Sequence, residues 1–125
     1  MNFTKKKKLF FKKKGIEKDL DKSIEYHVIA ANKGFKDSVL SLIELDPQNK
    51  KINLDGALKI FEQKMKNKNN KKKASAYKYT ALLYLNGLGV EKDAQKALKY
   101  FLTSVDLGEI TGYNSLGVIY QQGRG

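Results

Sequence analysis

The sequence predicts an all-α fold, a right-handed α-α superhelix: a solenoid of antiparallel helix pairs with about three repeats and incomplete ends. Three observations carry that prediction. Segments recur at fixed offsets along the chain. Apolar residues inside them return at the 3.6-residue period of an amphipathic helix. Glycines or a proline stand where those helices must stop.

The recurrence is read from the residues themselves. Gly89-Val90-Glu91-Lys92-Asp93, then Lys96 and Tyr100, is matched at an offset of 74 by Gly15-Ile16-Glu17-Lys18-Asp19, then Lys22 and Tyr26. An offset of 36 relates Tyr77, Tyr84, Gly87 and Gly89 to Tyr113, Tyr120, Gly123 and Gly125. A further copy lies between, where residues 53–61 match 93–101 at an offset of 40, the extra length falling in the Lys/Asn-rich stretch 64–73. The 125 residues therefore form a single domain with units of roughly 1–34, 35–73, 74–108 and a partial 109–125.

Each unit reads as two helices. The first helices are expected at 3–11, 36–45, 74–85 and 111–121. The second helices each carry one apolar stripe: Leu20, Ile24, Val28 and Ala31; Leu54, Leu58, Phe61 and Met65; Ala94, Ala97, Leu98, Phe101 and Val105. Asp19, Asn53 and Asp93 stand where an N-cap must accept orphan amide hydrogens, and Gly34 and Gly108 stand at the far ends. Between the helices of a unit lies the turn Gly87-Leu88-Gly89, replaced in the second unit by Asp46-Pro47-Gln48, where the proline ends the helix. Ser38, Ala76 and Gly112 fall in register, as close helix packing requires.

Composition narrows the chemistry. With 41% hydrophobic residues the chain can bury a core of ordinary proportions. There is no cysteine, which rules out disulfides, thiolate metal sites and a cysteine nucleophile and suits a reducing compartment. The apolar run of Leu9, Phe10 and Phe11 is far short of a signal-peptide core of about 7–15 residues or a span of about 20, so a cytoplasmic chain is expected. The net charge of +12 is localised: the 13 lysines at 5–8, 12–14, 64, 66, 68 and 71–73 account for the excess, leaving a near-neutral body.

The stretch 76–108, with Tyr84-Leu85-Asn86-Gly87-Leu88-Gly89-Val90, Asp93, Lys96-Ala97-Leu98-Lys99-Tyr100-Phe101 and Gly108, resembles the Sel-one-like repeat, a relative of the tetratricopeptide repeat. Leu116-Gly117-Val118-Ile119-Tyr120 leading to Gly123-Arg124-Gly125 resembles it too. The chain departs from the family pattern where Thr80 replaces a leucine, Ala81 a glycine and Lys13 the first turn glycine. It is expected to begin inside one helix pair and to end on the turn after a first helix, as a piece of a longer array would, or an array whose end a partner covers. The resemblance implies an adaptor that holds another protein or a peptide, with no cofactor.

In this register the first helices line a concave face, along which Phe3, Val39, Tyr77 and Tyr113 form one column. Tyrosine offers a large contact area and an orienting hydroxyl, so Tyr77 and Tyr113 are the leading contact residues, with Asn114, Gln121 and Lys78 as companions. The competing reading has these tyrosines packing between repeats; Tyr84, Tyr100 and Tyr120 are read as core. The lysine runs suggest an alternative function, electrostatic binding of nucleic acid or anionic membrane, against the plainer reading of solvated loops on opposite edges of the stack. Catalysis has little to work with: His27, the only histidine, stands where Phe61 and Phe101 stand in the other copies and reads as a packing residue, and no metal ligand set is expected. Apolar ends of the stack make self-association a further expectation.

Overall fold

A computed structural model of the chain describes residues 16–45 and 51–123; within these there are six helices and no strand. They are α1 (Leu20–Asn32), α2 (Lys36–Leu45), α3 (Asp55–Lys64), α4 (Asn70–Asn86), α5 (Ala94–Asp106) and α6 (Thr111–Gln121). The helix expected at 3–11 and the Asp46-Pro47-Gln48 turn lie outside the described residues.

The helix starts show how local chemistry sets the repeat. Asp19 and Asp93 both have extended backbone, and each carboxylate accepts the amide hydrogen three residues on, from Lys22 and from Lys96, at 3.0 Å. The third expected cap is displaced. Asn53 Oδ1 accepts from the Asp55 amide at 2.9 Å, a turn one residue too early, and Leu54, the residue at the cap, has no side chain to offer. A neighbour supplies the missing acceptor. Asn32, at the end of α1, accepts from the Ala57 amide through Oδ1 at 3.0 Å and donates through Nδ2 to the Asn53 carbonyl at 2.9 Å. Gly56 permits this approach, since a Cβ there would lie 2.9 Å from the Asn32 carbonyl oxygen.

A second boundary also moves. α4 begins at Asn70, ahead of the expected position 74, because Asn69 caps it by accepting from the Lys72 amide at 3.0 Å and lysine is a good helix former. Lys71, Lys72 and Lys73 therefore form its first turn and are not linker, which corrects the loop reading of that run.

The Gly87-Leu88-Gly89 turn closes α4 with positive φ at both glycines, 64° and 71°. Leu88 is buried between them and donates its amide to the Leu83 carbonyl at 2.9 Å. Gly34 and Gly108 follow α1 and α5 at φ 96° and 105°, as expected.

The helices stack in the order of a solenoid: α1 packs on α2 and α3, α3 on α4, α2 on α4, α4 on α5 and α5 on α6. Two apolar cores result. One joins Ala31, Val39, Leu42, Leu54, Ala57, Phe61, Tyr79, Leu83 and Leu88; the other joins Ala81, Leu85, Ala97, Phe101, Val105, Leu116 and Ile119, and Leu82 packs against both. Phe61 and Phe101, equivalent across the repeat, anchor one core each, and burial of each side chain is worth roughly 2–3 kcal/mol. His27 fills the same place in α1, half-buried, with Nδ1 3.4 Å from Ser38 Oγ of α2. The packing role expected for it agrees with that position.

Candidate partner-binding face

On α4 the series Ser75, Lys78, Leu82 and Asn86 runs along one side of the helix at spacings of three and four, and none of these residues is fully buried. Tyr79 borders that side. Its ring is buried against Phe61, centroids 5.9 Å apart. Two ammonium groups approach it from different helices: Lys36 Nζ of α2 at 5.6 Å from the ring centroid and Lys78 Nζ at 5.1 Å. Lys36 also donates to Ser75 Oγ at 3.2 Å, which ties α2 to α4 at this place. Burial, and after it the negative charges of Asp37 and Glu109, push the Tyr79 phenol above its ordinary pKa, so it stays a protonated hydroxyl through neutral pH. Glu109 in turn accepts from Thr111 Oγ1 at the start of α6. α2, α4 and the turn between α5 and α6 thus bring charges of both signs, Lys36, Asp37, Lys78 and Glu109, near one phenol.

The residues singled out in the sequence are distributed differently from expectation. Val39 is completely buried in the first core, so its place in a contact column is corrected: it faces inward because α2 must cover α1 and α4. Tyr77 is half-buried with its ring 5.7 Å from Tyr100, which in turn lies 6.2 Å from Tyr84; it is turned into its own helix pair and away from the outer strip. Tyr113, its equivalent on α6, is 61% exposed. Asn114 and Gln121 are exposed, Lys78 joins the Tyr79 strip, and Phe3 lies outside the described residues. Sequence reasoning passed over Tyr79 and Lys36. A signal was present: Tyr79 is in register with Ser41 and Ser115, a bulky aromatic where the neighbouring units have serine.

Nothing in the strip pairs a nucleophile with a base. Among the described residues no three His, Asp or Glu side chains are grouped to hold a metal ion, and no helix is long and apolar enough to cross a membrane.

Comparison with known families agrees with the helix pairs. The Sel1 repeat model matches residues 10–35 and 74–109, the first ending in the turn after α1 and the second running from α4 past the end of α5. No curated protein and no solved structure matches the chain.

Proposed function

We propose, from the premise that the chain is a Sel1-like repeat helical protein, that it is a scaffold whose partner, a peptide or the surface of another protein, lies along the concave face of the first helices. Sel1 repeats are generally protein-interaction modules, which gives the class of function. The observation that carries the placement is the strip around Tyr79. Lys36 and Lys78 over the buried Tyr79 ring, with Asp37 and Glu109 close enough to affect its ionisation, offer a surface patch with charges of both signs. A mixed-sign rim suits a peptide backbone and polar side chains better than the uniform negative charge of a phosphate chain. Asn114 continues the strip on α6, in register with Lys78.

One feature favours a second reading. Lys71, Lys72 and Lys73 occupy the first turn of α4 with no acidic residue in that turn, next to Lys64, Lys66 and Lys68. An electrostatic contact with nucleic acid or anionic lipid would use this end of the helix.

Affinity capture from native extract separates the two readings, with the wild type and a Lys36→Glu/Lys78→Glu variant of unchanged helicity washed at low and high salt. A protein that survives high salt and binds the variant at least about tenfold more weakly is the expected result. Equal retention by the variant would move the site off this face. Recovery of nucleic acid or lipid alone, released by salt, would transfer the function to the lysine run.

A further inference from the structure

α4 opens with its charges the wrong way round. Lys71, Lys72 and Lys73 stand in its first turn, and the whole helix, Asn70–Asn86, contains no acidic residue. Cations there meet the positive pole of the helix dipole, where an anion is the favourable charge.

Ser75 follows those lysines directly. It is partly exposed between buried Ala74 and Ala76, and its Oγ accepts from Lys36 Nζ of α2 at 3.2 Å. Three more lysines lie one turn away on α4: Lys71 and Lys72 at i−4 and i−3, and Lys78 at i+3. Lys36 and Lys78 already converge here, at 5.6 and 5.1 Å from the ring centroid of Tyr79, which lies one turn beyond Ser75 on the same face. Asp37 and Glu109, the acids that act on Tyr79, are outnumbered by these four lysines. The sequence context is distinctive as well. No other serine or threonine of the chain has three consecutive lysines within the four residues before it. An enzyme with an acidic cleft selects an acceptor by such a run.

We propose that Ser75 is a phosphorylation site, selected by a serine kinase through the preceding lysines, and that the phosphate is held by Lys36 of α2 with Lys71, Lys72 and Lys78 of α4. In the transfer, Ser75 Oγ bonds to the terminal phosphorus of a nucleoside triphosphate. The bond from that phosphorus to its bridging oxygen breaks, the electron pair leaves on the nucleoside diphosphate, and the hydroxyl proton passes to the kinase's base. The lysines that repel one another at the start of α4 also make its first turns the ones that open, which exposes the acceptor to the kinase. The product carries a charge of about −1.5 to −2 at neutral pH and three acceptor oxygens. It supplies the anion that the start of α4 lacks and replaces one contact between α2 and α4 with charge-assisted bonds. The inference is independent of what binds the strip around Tyr79.

The test incubates the full chain with ATP, magnesium and a purified serine kinase selective for basic residues two and three positions before the acceptor. Intact mass and peptide mapping are expected to find one phosphoryl group on Ser75 in the wild type and none in Ser75→Ala. Thermal unfolding by circular dichroism then compares the phosphorylated and unmodified chain, in the wild type and in Lys36→Gln. Phosphorylation is expected to raise the wild-type Tm by about 4 °C or more, less so in high salt, and to raise it less in Lys36→Gln. Because each comparison is made within one variant, the stability of Lys36→Gln itself does not enter. A chain left unmodified at Ser75, or modified faster elsewhere, would overturn the site. A Tm unchanged or lowered by the phosphate, or raised equally in Lys36→Gln, would overturn the role given to the lysines.

Discussion

Replacing Thr80 by valine is expected to stabilise the protein, against the general trend that core substitutions destabilise. Thr80 lies in the middle of α4 with no exposed surface, and its hydroxyl has no hydrogen-bond partner. A buried hydroxyl without a partner costs about 1–3 kcal/mol relative to one left in water. Valine has the same shape and the same branching at Cβ, so the change removes that penalty without opening a cavity or altering rotamer freedom. The expected gain is about 1–2 kcal/mol, and about 4 °C in Tm for each kcal/mol in a chain of this size. Urea unfolding of wild type, Thr80→Val and Thr80→Ser measures it. Serine keeps the orphan hydroxyl and deletes a buried methyl, so it should lose about 1 kcal/mol with the denaturant slope unchanged. A Thr80→Val protein less stable than wild type would refute the reasoning and show that the hydroxyl has a partner, such as a backbone carbonyl one turn back.

Two glycines on α6 are expected to respond with opposite sign. A Cβ at Gly112 would lie 2.7 Å from Val105 Cγ1 and 2.9 Å from Ser104 Oγ, so Gly112→Ala should cost about 1–3 kcal/mol by pushing α6 off α5, whereas Gly117→Ala, in open space, should gain about 0.5–1 kcal/mol; urea midpoints decide both. The Tyr79 phenol, raised from its ordinary value of 10.0, favours folding while protonated: that contribution is complete below pH 10.0 and is lost as pH rises through the folded-state value. Absorbance titration of the phenolates should show a late component that Tyr79→Phe removes, and an identical titration in the variant would contradict the assignment.

The repeat was legible because period and punctuation agree. Asp19, Asp93, Gly34 and Gly108 act where the sequence places them, and the stripes through Phe61 and Phe101 become the two cores. What escaped was set by partners distant in sequence. The displaced start of α3 depends on Asn32, 25 residues before the amide it accepts from, and no local pattern encodes that bond. Register aligned Val39, Tyr77 and Tyr113, but how far each is covered depends on where α5 and the first core sit: Val39 is buried, Tyr77 lies against Tyr100 and Tyr113 is exposed. Tyr79 emerged once Lys36 and Lys78 could be seen converging on its ring from different helices.

The bond from Asn32 to the Ala57 amide also bears on how the stack opens. A helix start that draws its acceptor from the preceding unit is complete only while the last turn of α1 is in place. Fraying at the end of α1 therefore strips α3 of its cap, and melting at the start of α3 leaves the Asn32 amide without the Asn53 carbonyl. The two ends share one opening event, and amide hydrogens on either side of the junction exchange with solvent together.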